Sequence, residues 1–156
     1  METVLIAQDD PPGVGLAANQ VGVNLSIFII RPTQKSKIKV FINPKIIKTV
    51  SGSVLFRTVL KKDRPYKKKP IRLEGCLSIP RIWGPVKRAN KVLLEYQDLT
   101  SPTYEVKLGW FQGFEATIIQ HEMDHLNGIV FTQRTIEQKK QLYKEDEGEL
   151  IKIELI

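Results

Sequence analysis

The stretch that decides the fold is QGFEATIIQHEMDHLNG, residues 112–128. Four of its residues recur at spacings of three and four, the period of one helical face: Phe114, Ile118, His121 and His125. The Asn-Gly pair that closes the stretch is a typical helix stop. The sequence therefore predicts a helix from Gln112 to Leu126.

The predicted helix carries the motif H-E-x-x-H, formed by His121, Glu122 and His125. Residues four apart lie one turn above each other, so both imidazoles can bind one metal ion from the same side. Glu122 lies about 100° around the helix from His121, so it can reach a reacting water without being a ligand. Such motifs also occur by chance, and two histidines could simply extend a core stripe. Both histidines of the chain lie in this motif, which favours a metal site.

A hydrolytic metal site needs three protein ligands and an open position. One candidate for the third ligand is Cys76, the single cysteine, in the segment LEGCLSIP. A buried cysteine is more often a small apolar residue than a ligand, but a Cys/His/His set beside a glutamate is chemically coherent. The alternative is an H-E-x-x-H metallopeptidase, in which the third ligand would come from the downstream carboxylates Glu137, Glu145, Glu147 and Glu149.

Short runs rich in branched residues predict strands at Leu25–Ile30, Ile38–Ile42, Ile46–Val50, Lys91–Tyr96 and Tyr104–Leu108. A helical turn is predicted at residues 2–8 and a last strand at Gly148–Ile156. No repeat or linker divides the chain. We therefore expect an α+β fold, a single catalytic domain over residues 1–156 with antiparallel strands packed around one central helix that carries HExxH.

The segment GVGLAANQ, residues 13–20, satisfies the dinucleotide pattern G-x-G-x-x-A. Its context argues against nucleotide binding, because a Pro-Pro pair precedes it and no acidic residue lies between Asp10 and Asp63 to bind a ribose. We therefore expect no nucleotide cofactor. The glycines would instead let the backbone approach a ligand closely, and Gln20 could donate its amide N–H; a plain tight turn with an exposed glutamine is the alternative.

In that order, GVGLAANQ, EGCLS and QHEMDHLNG resemble the three motifs of peptide deformylases, and the resemblance runs from about residue 2 to the C-terminus. It implies three metal ligands: Cys76, His121 and His125. It implies that Glu122 handles the proton, and that the Gln20 side chain and the Leu77 backbone N–H stabilise the oxyanion.

The resemblance also implies a peptide-binding region. The backbone at Val14 and Gly15 would pair with an extended substrate, which is strand addition. Glu74 and Gly75 adjoin the site, and Glu74 is expected to orient a ligand or the loop. The methionine side chain needs an apolar slot, and its expected lining is Phe114, Thr117 and Ile118, with Val14 opposite.

The implied reaction is hydrolysis of the formyl group from formyl-methionyl nascent peptides, with release of formate. It requires one divalent metal ion. Ferrous iron is the expected native ion, and zinc or nickel could occupy the same site.

The formal charge is +7, and one basic cluster, KKDRPYKKKPIR, occupies residues 61–72. Such a cluster is usually a solvated loop, but it could attract RNA or associate transiently with the ribosome. A non-catalytic RNA-binding protein is therefore a third interpretation. No RNA-binding signature with interleaved aromatic residues accompanies the cluster.

The composition points away from membranes and secretion. No apolar run approaches the roughly 20 residues that cross a bilayer, and the first residues lack the features of a secretory signal. One cysteine cannot form an internal disulfide, so we expect the cytoplasm or another reducing compartment, an organellar mature form included.

The chain departs from the usual family pattern at two places near its start. Twelve residues precede Gly13, so the N-terminal segment is shorter than usual. Asn19 stands where many members have proline, which is expected to loosen that turn.

Overall fold

The computed structural model describes residues 1–51, 72–100 and 103–154. Within these ranges the helices are α1 (Glu2–Ile6), α2 (Phe114–Leu126) and α3 (Phe131–Glu137). The strands are β1 (Gly15–Ala17), β2 (Ile27–Ile30), β3 (Lys39–Val50), β4 (Leu73–Cys76), β5 (Ile79–Pro85), β6 (Lys91–Gln97), β7 (Lys107–Gln112), β8 (Tyr143–Asp146) and β9 (Glu149–Lys152). A 3₁₀ turn, Ala18–Val21, follows β1. In the part of the chain described, no helix has the length and apolar character that a membrane span needs.

The larger sheet has the strand order β1-β2-β3-β6-β7, and all its neighbours are antiparallel. The two predicted runs Ile38–Ile42 and Ile46–Val50 join into the single strand β3. The pairing of β3 with β6 shifts register between Ile42 and Lys45, on either side of Pro44. Such an irregularity lets one strand contain a residue that cannot donate to the ladder.

The smaller sheet has the order β4-β5-β8-β9 and is also antiparallel. Glu147 and Gly148, both at positive φ, form the tight turn between β8 and β9. The sequence pattern did not predict β4, β5 or β8. β9 falls inside the expected Gly148–Ile156, whose last two residues lie outside the described ranges.

Helix α2 packs on the inner face of the larger sheet through a buried apolar cluster. Its members include Phe28, Ile30, Phe41, Val92, Leu94, Ala116, Ile118 and Ile119. The helix begins after Gly113, whose φ of 61° is open to glycine and whose N–H donates to the Asn90 carbonyl (2.8 Å). It ends at Leu126, with Gly128 at φ 73°, as the Asn-Gly pair predicted.

The α+β class and the antiparallel architecture are confirmed. The predicted turn at residues 2–8 is α1, and the predicted long helix is α2. The strand expected at Tyr104–Leu108 lies further along, at β7, and the short helix α3 was not predicted. Of the basic cluster at residues 61–72, only Arg72 lies in the described ranges.

Candidate metal centre

The strand β4 and the helix α2 bring three candidate ligands together. The Cys76 Sγ lies 3.0 Å from the His125 Nε2, which lies 3.2 Å from the His121 Nε2. All three atoms lie within 4.8 Å of one another. Donors bound tetrahedrally at about 2.0–2.3 Å from one ion would lie roughly 3.3–3.8 Å apart, so the arrangement fits a single small metal ion.

The downstream carboxylates do not join this cluster. Among the residues described, the one group of donors close enough to share an ion is the Cys/His/His set. Glu137 instead pairs with Arg134 (3.2 Å) on the same helix, and Glu145 accepts a hydrogen bond from the Trp83 Nε1 (2.6 Å). The geometry therefore gives no support to the metallopeptidase alternative.

The Cys76 thiol is partly buried between the two imidazoles. Burial alone would raise its pKa, but hydrogen bonds from His121 and His125 outweigh this and lower the pKa to about 5. The thiolate is therefore the favoured form at neutral pH, and the thiolate is the form that binds metals. Burial would lower the pKa of His121, but its bonds to Cys76 and Glu74 raise it to about 10.

Glu122 is 3% exposed, and its Oε2 has no hydrogen-bond partner among the described residues. Burial, reinforced by the nearby Cys76 thiolate and opposed by His121, raises its pKa to about 8. A carboxyl group with that pKa can take up and release a proton near neutral pH.

Gly15 is explained by the same carboxylate. A Cβ at this position would lie 2.2 Å from the Glu122 Oε1 and 2.8 Å from the Ile118 Cγ2. The sequence predicted a close backbone approach at this segment. The structure places α2 against Gly15, so only glycine fits there.

Gln20 presents its amide group towards the cluster. Its Oε1 accepts a hydrogen bond from the Ala17 N–H (2.8 Å), which fixes the orientation of the side chain. Its Nε2 donates to the Ser78 Oγ (2.9 Å) and lies 3.6 Å from the Cys76 Sγ. An amide held at both ends is not the plain exposed glutamine of the alternative interpretation.

Leu77 lies in the turn between β4 and β5, directly after Cys76. Its side chain packs against a second small core formed by Leu5, Leu16 and Ile29. This contact anchors the turn whose backbone N–H the sequence analysis assigned to the oxyanion.

A buried network of charges supports His121 from behind. The Glu74 carboxylate accepts from the His121 Nδ1 (3.1 Å) and from the Nε and Nη2 of Arg88 (2.9 Å each). Arg88 also donates to Asp124 (2.5 Å), which pairs with Arg134 (2.7 Å). Both Glu74 oxygens are thus engaged within the protein, which favours an orienting role over direct contact with substrate.

The pKa values of the network follow from this pairing. Burial raises the pKa of Glu74, but the hydrogen bond from Arg88 and the bond to His121 outweigh it, so the pKa lies below its usual value. The same balance, with Arg134 and Arg88 as partners, keeps the pKa of Asp124 low. Both carboxylates are therefore charged at neutral pH.

Three residues around the site were not predicted from the sequence, namely Ser78, Arg88 and Asp124, and neither was the contact that Asn19 makes with α2. Asn19 donates to the His125 carbonyl (2.5 Å), which ties the turn after β1 to the end of α2. Asp124 inside the HExxH segment offered a weak signal, because a charged residue on a buried helix needs a partner.

The lining expected for the methionine slot is apolar only in part. Val14 and Phe114 pack against the cluster that contains the buried Ile118. Thr117 turns its hydroxyl to the Gly113 carbonyl (3.3 Å). The Arg72 guanidinium lies 3.7 Å from the centre of the Phe114 ring, a contact the sequence did not predict.

The two tryptophans lie in different surroundings. The indole of Trp83 covers Gly75, where a Cβ would lie 2.8 Å from the ring. Trp110 is 46% exposed on β7.

Comparison with known proteins gives a consistent result. The polypeptide deformylase family model matches residues 1–141. The peptide deformylase of Borreliella burgdorferi is 40% identical over 119 residues, which are 76% of this chain and 61% of that relative. The chain therefore spans less than two thirds of that relative's length.

Solved structures agree in fold as well as in sequence. A crystal structure of the class I type b peptide deformylase from Acinetobacter baumannii is 33% identical, with a TM-score of 0.65, over 86% of this chain and 75% of that one. Another structure of the Acinetobacter protein, bound to Met-Ala-Ser, has a TM-score of 0.62 at 33% identity and covers 86% and 76%. The chain belongs to the polypeptide deformylase family.

Proposed function

We propose that this protein removes the formyl group from formyl-methionyl peptides by hydrolysis. The observation that carries the proposal is the meeting of Cys76, His121 and His125 beside the buried Glu122, whose Oε2 has no hydrogen-bond partner among the described residues. Family membership supports it. So does the Acinetobacter relative, which binds Met-Ala-Ser, a peptide of the kind that the reaction would release.

We propose that Cys76, His121 and His125 hold one divalent ion, with Fe²⁺ as the native metal and Zn²⁺ or Ni²⁺ able to replace it. When bound at such a donor set, the ion supplies a water with a pKa near neutrality and polarisation of a carbonyl oxygen. The donor set fits because a thiolate and two imidazoles suit these borderline metals. Glu74 accepts the His121 Nδ1 proton and would keep its Nε2 free for the metal.

The remaining steps use the protein's own groups. Glu122 takes a proton from the attacking water and passes it to the nitrogen of methionine as the C–N bond of the formyl group breaks. The Gln20 amide and the Leu77 N–H donate to the oxygen that becomes negative, each typically worth about 3–4 kcal/mol. One water is consumed, and formate and a free amino terminus are released.

Substrate binding would use the two glycine-containing strands. The backbone at Val14 and Gly15 on one side and Gly75 on the other would pair with the extended peptide. Phe114, Thr117 and Ile118 would receive the methionine side chain. We also propose that residues 1–156 form a single catalytic domain, since strands of both sheets border the same site.

The decisive test is formate release from formyl-Met-Ala-Ser, with metal content measured in the same samples. Glu122→Gln keeps the shape of the side chain but cannot carry the proton. We expect normal metal content and a rate at least 10²-fold lower. The matched control is Glu115→Gln on the exposed side of the same helix, which should retain full activity. Undiminished turnover by Glu122→Gln would contradict the role proposed for this residue.

Metal identity is tested separately. Protein purified without oxygen should contain iron and lose activity in air, whereas a nickel-substituted form should remain active. Cys76→Ala should lose both metal and activity. A Cys76→Ala variant that kept both would instead favour a site built on a downstream carboxylate.

Ribosome association is a further part of the proposal, because the proposed substrates are nascent chains. The protein would act on them in the cytoplasm. The basic segment at residues 61–72 would provide it by attraction to RNA. Co-sedimentation with ribosomes should weaken when Lys67, Lys68 and Lys69 are changed to glutamine. Unchanged co-sedimentation would remove this part of the proposal.

A further inference from the structure

Arg72 occupies an unusual position at the start of β4. Its guanidinium lies 3.7 Å from the centre of the Phe114 ring, and the residue is otherwise exposed. A guanidinium that lies over a ring can keep the N–H groups at its edge free to bind a carboxylate with two parallel hydrogen bonds. The contact therefore places an anion-binding group at the rim of the expected methionine slot.

The segment from Arg72 to Cys76 lies beside the helix α2, and its residues contact successive turns of the helix. Cys76 meets His125, Glu74 meets His121, and Arg72 meets Phe114 in the first turn of the helix. Moving back along β4 from Cys76 therefore leads from the metal ligands to the slot. Arg72 is four residues from Cys76, about 13 Å away along an extended strand.

An extended substrate has room to follow the same direction. Among the described strands, β1 and β4 each have one pairing neighbour, so each is an edge of its sheet. A peptide whose formyl carbon lies near Cys76 and whose backbone follows the β4 edge would proceed towards Arg72. Side chains one and three of such a peptide project to the same side, about 7 Å apart.

The distances select the third residue of the peptide. Its Cα would lie roughly 9–10 Å from the formyl carbon along the strand, and the remaining distance of about 3–4 Å to the level of Arg72 is within the reach of the long arginine side chain and an acidic side chain together. Its carboxylate would thus reach the level of Arg72. The second side chain would project to the opposite face.

The charges nearby favour an anion. Glu115, next to Phe114, is already paired with Lys39 (2.6 Å), and Lys91 lies over the Trp110 ring. In the described part of the chain, no ion pair engages the Arg72 guanidinium. None of the described carboxylates therefore neutralises its charge.

We propose that Arg72 is a specificity-determining residue that binds a carboxylate on the third residue of the substrate peptide. The inference rests on the proposed function and adds a preference to it. Peptides with aspartate or glutamate at position three would be favoured, and those with lysine or arginine there would be disfavoured.

The test uses formyl-Met-Ala-X-Ala amides with X as glutamate, glutamine or lysine, and formyl-Met-Glu-Ala-Ala amide as a positional control. For the wild type we expect kcat/KM to fall in the order glutamate, glutamine, lysine, with about a fivefold difference between the ends at low salt. Glutamate at position two should have a smaller effect. Arg72→Gln should remove the difference, and Arg72→Lys should keep part of it.

The matched control is Lys48→Gln, which removes one exposed positive charge from β3 and should keep the wild-type ratio. Binding of the unformylated products Met-Ala-Glu-Ala and Met-Ala-Lys-Ala amides, measured by calorimetry, should show the same preference without any turnover. An equal ratio in wild type and Arg72→Gln, with formyl-Met-Ala-Gln-Ala amide still hydrolysed, would overturn this inference alone. Failure of the wild type to hydrolyse any of the peptides would overturn the proposed function with it.

Discussion

The helix α2 is held on two sides by different interactions. Towards the larger sheet it presents Ala116 and Ile119, both fully buried among apolar side chains. On its polar side it presents His121, which contacts Glu74 of β4, and Asp124, which pairs with Arg88 from the segment after β5. Apolar packing tolerates changes of shape and volume, but a buried charge needs every one of its partners. The polar side should therefore be the less tolerant of the two.

The largest effect is expected from Arg88→Leu, which acts on the polar side. The arginine side chain is 9% exposed and bridges Glu74 and Asp124, so its loss leaves two buried carboxylates short of a partner. We expect a loss of about 3–5 kcal/mol in the free energy of unfolding, with weakened metal binding. Urea unfolding measures this free energy. The control is Arg134→Leu: the Arg134 side chain is 33% exposed, so its loss should lower the free energy of unfolding by less.

Ile119→Ala tests the apolar side. Ile119 is fully buried, and its truncation should cost about 3 kcal/mol through lost burial and the cavity left behind. Metal content per folded molecule should be unchanged, because no contact with the ligands is removed. A clear loss of metal in this variant would mean that the two sides of α2 are not separable.

Glu74→Gln removes one charge from the polar side of α2 but keeps a side chain of the same size there. Glutamine keeps the size and can still accept the His121 N–H, but the charge that faces Arg88 is gone. We expect metal affinity to fall about 10- to 100-fold, measured by competition with a chelator. Wild-type affinity would show that Glu74 does not orient the ligand.

The smallest effect is expected from Lys39→Met, at an ion pair on the surface of α2. The Lys39 and Glu115 side chains are 48% and 33% exposed, so solvent screens their attraction. The free energy of unfolding should change by about 1 kcal/mol or less. A loss comparable to that of Arg88→Leu would contradict the distinction between buried and exposed charges.

The apolar side of α2 could be predicted from sequence because it is periodic. Spacings of three and four identified the helix, and the Asn-Gly pair identified its end. The H-E-x-x-H spacing placed two imidazoles on one face for the same reason. Local geometry relates these residues, and local geometry is what a sequence pattern encodes.

The polar side could not be predicted in the same way. Arg88 lies 36 residues from Asp124 and 14 from Glu74, and no helical or strand period relates positions so far apart. The strands β4 and β5 were missed because they are interrupted by Gly75 and Pro80 and do not alternate clearly between apolar and polar residues. Cys76 was identified from its motif and from the chemistry that a third ligand requires.

The close contact at Gly15 has a consequence for how the site is insulated. The Glu122 carboxylate is walled on that side by main chain. A side chain lid can rotate aside and admit water for a moment, but a strand hydrogen-bonded to its sheet neighbour moves only when the whole edge moves. The backbone of β1 therefore forms a wall of low polarisability beside this carboxylate, one that cannot be opened by the rotation of a single side chain.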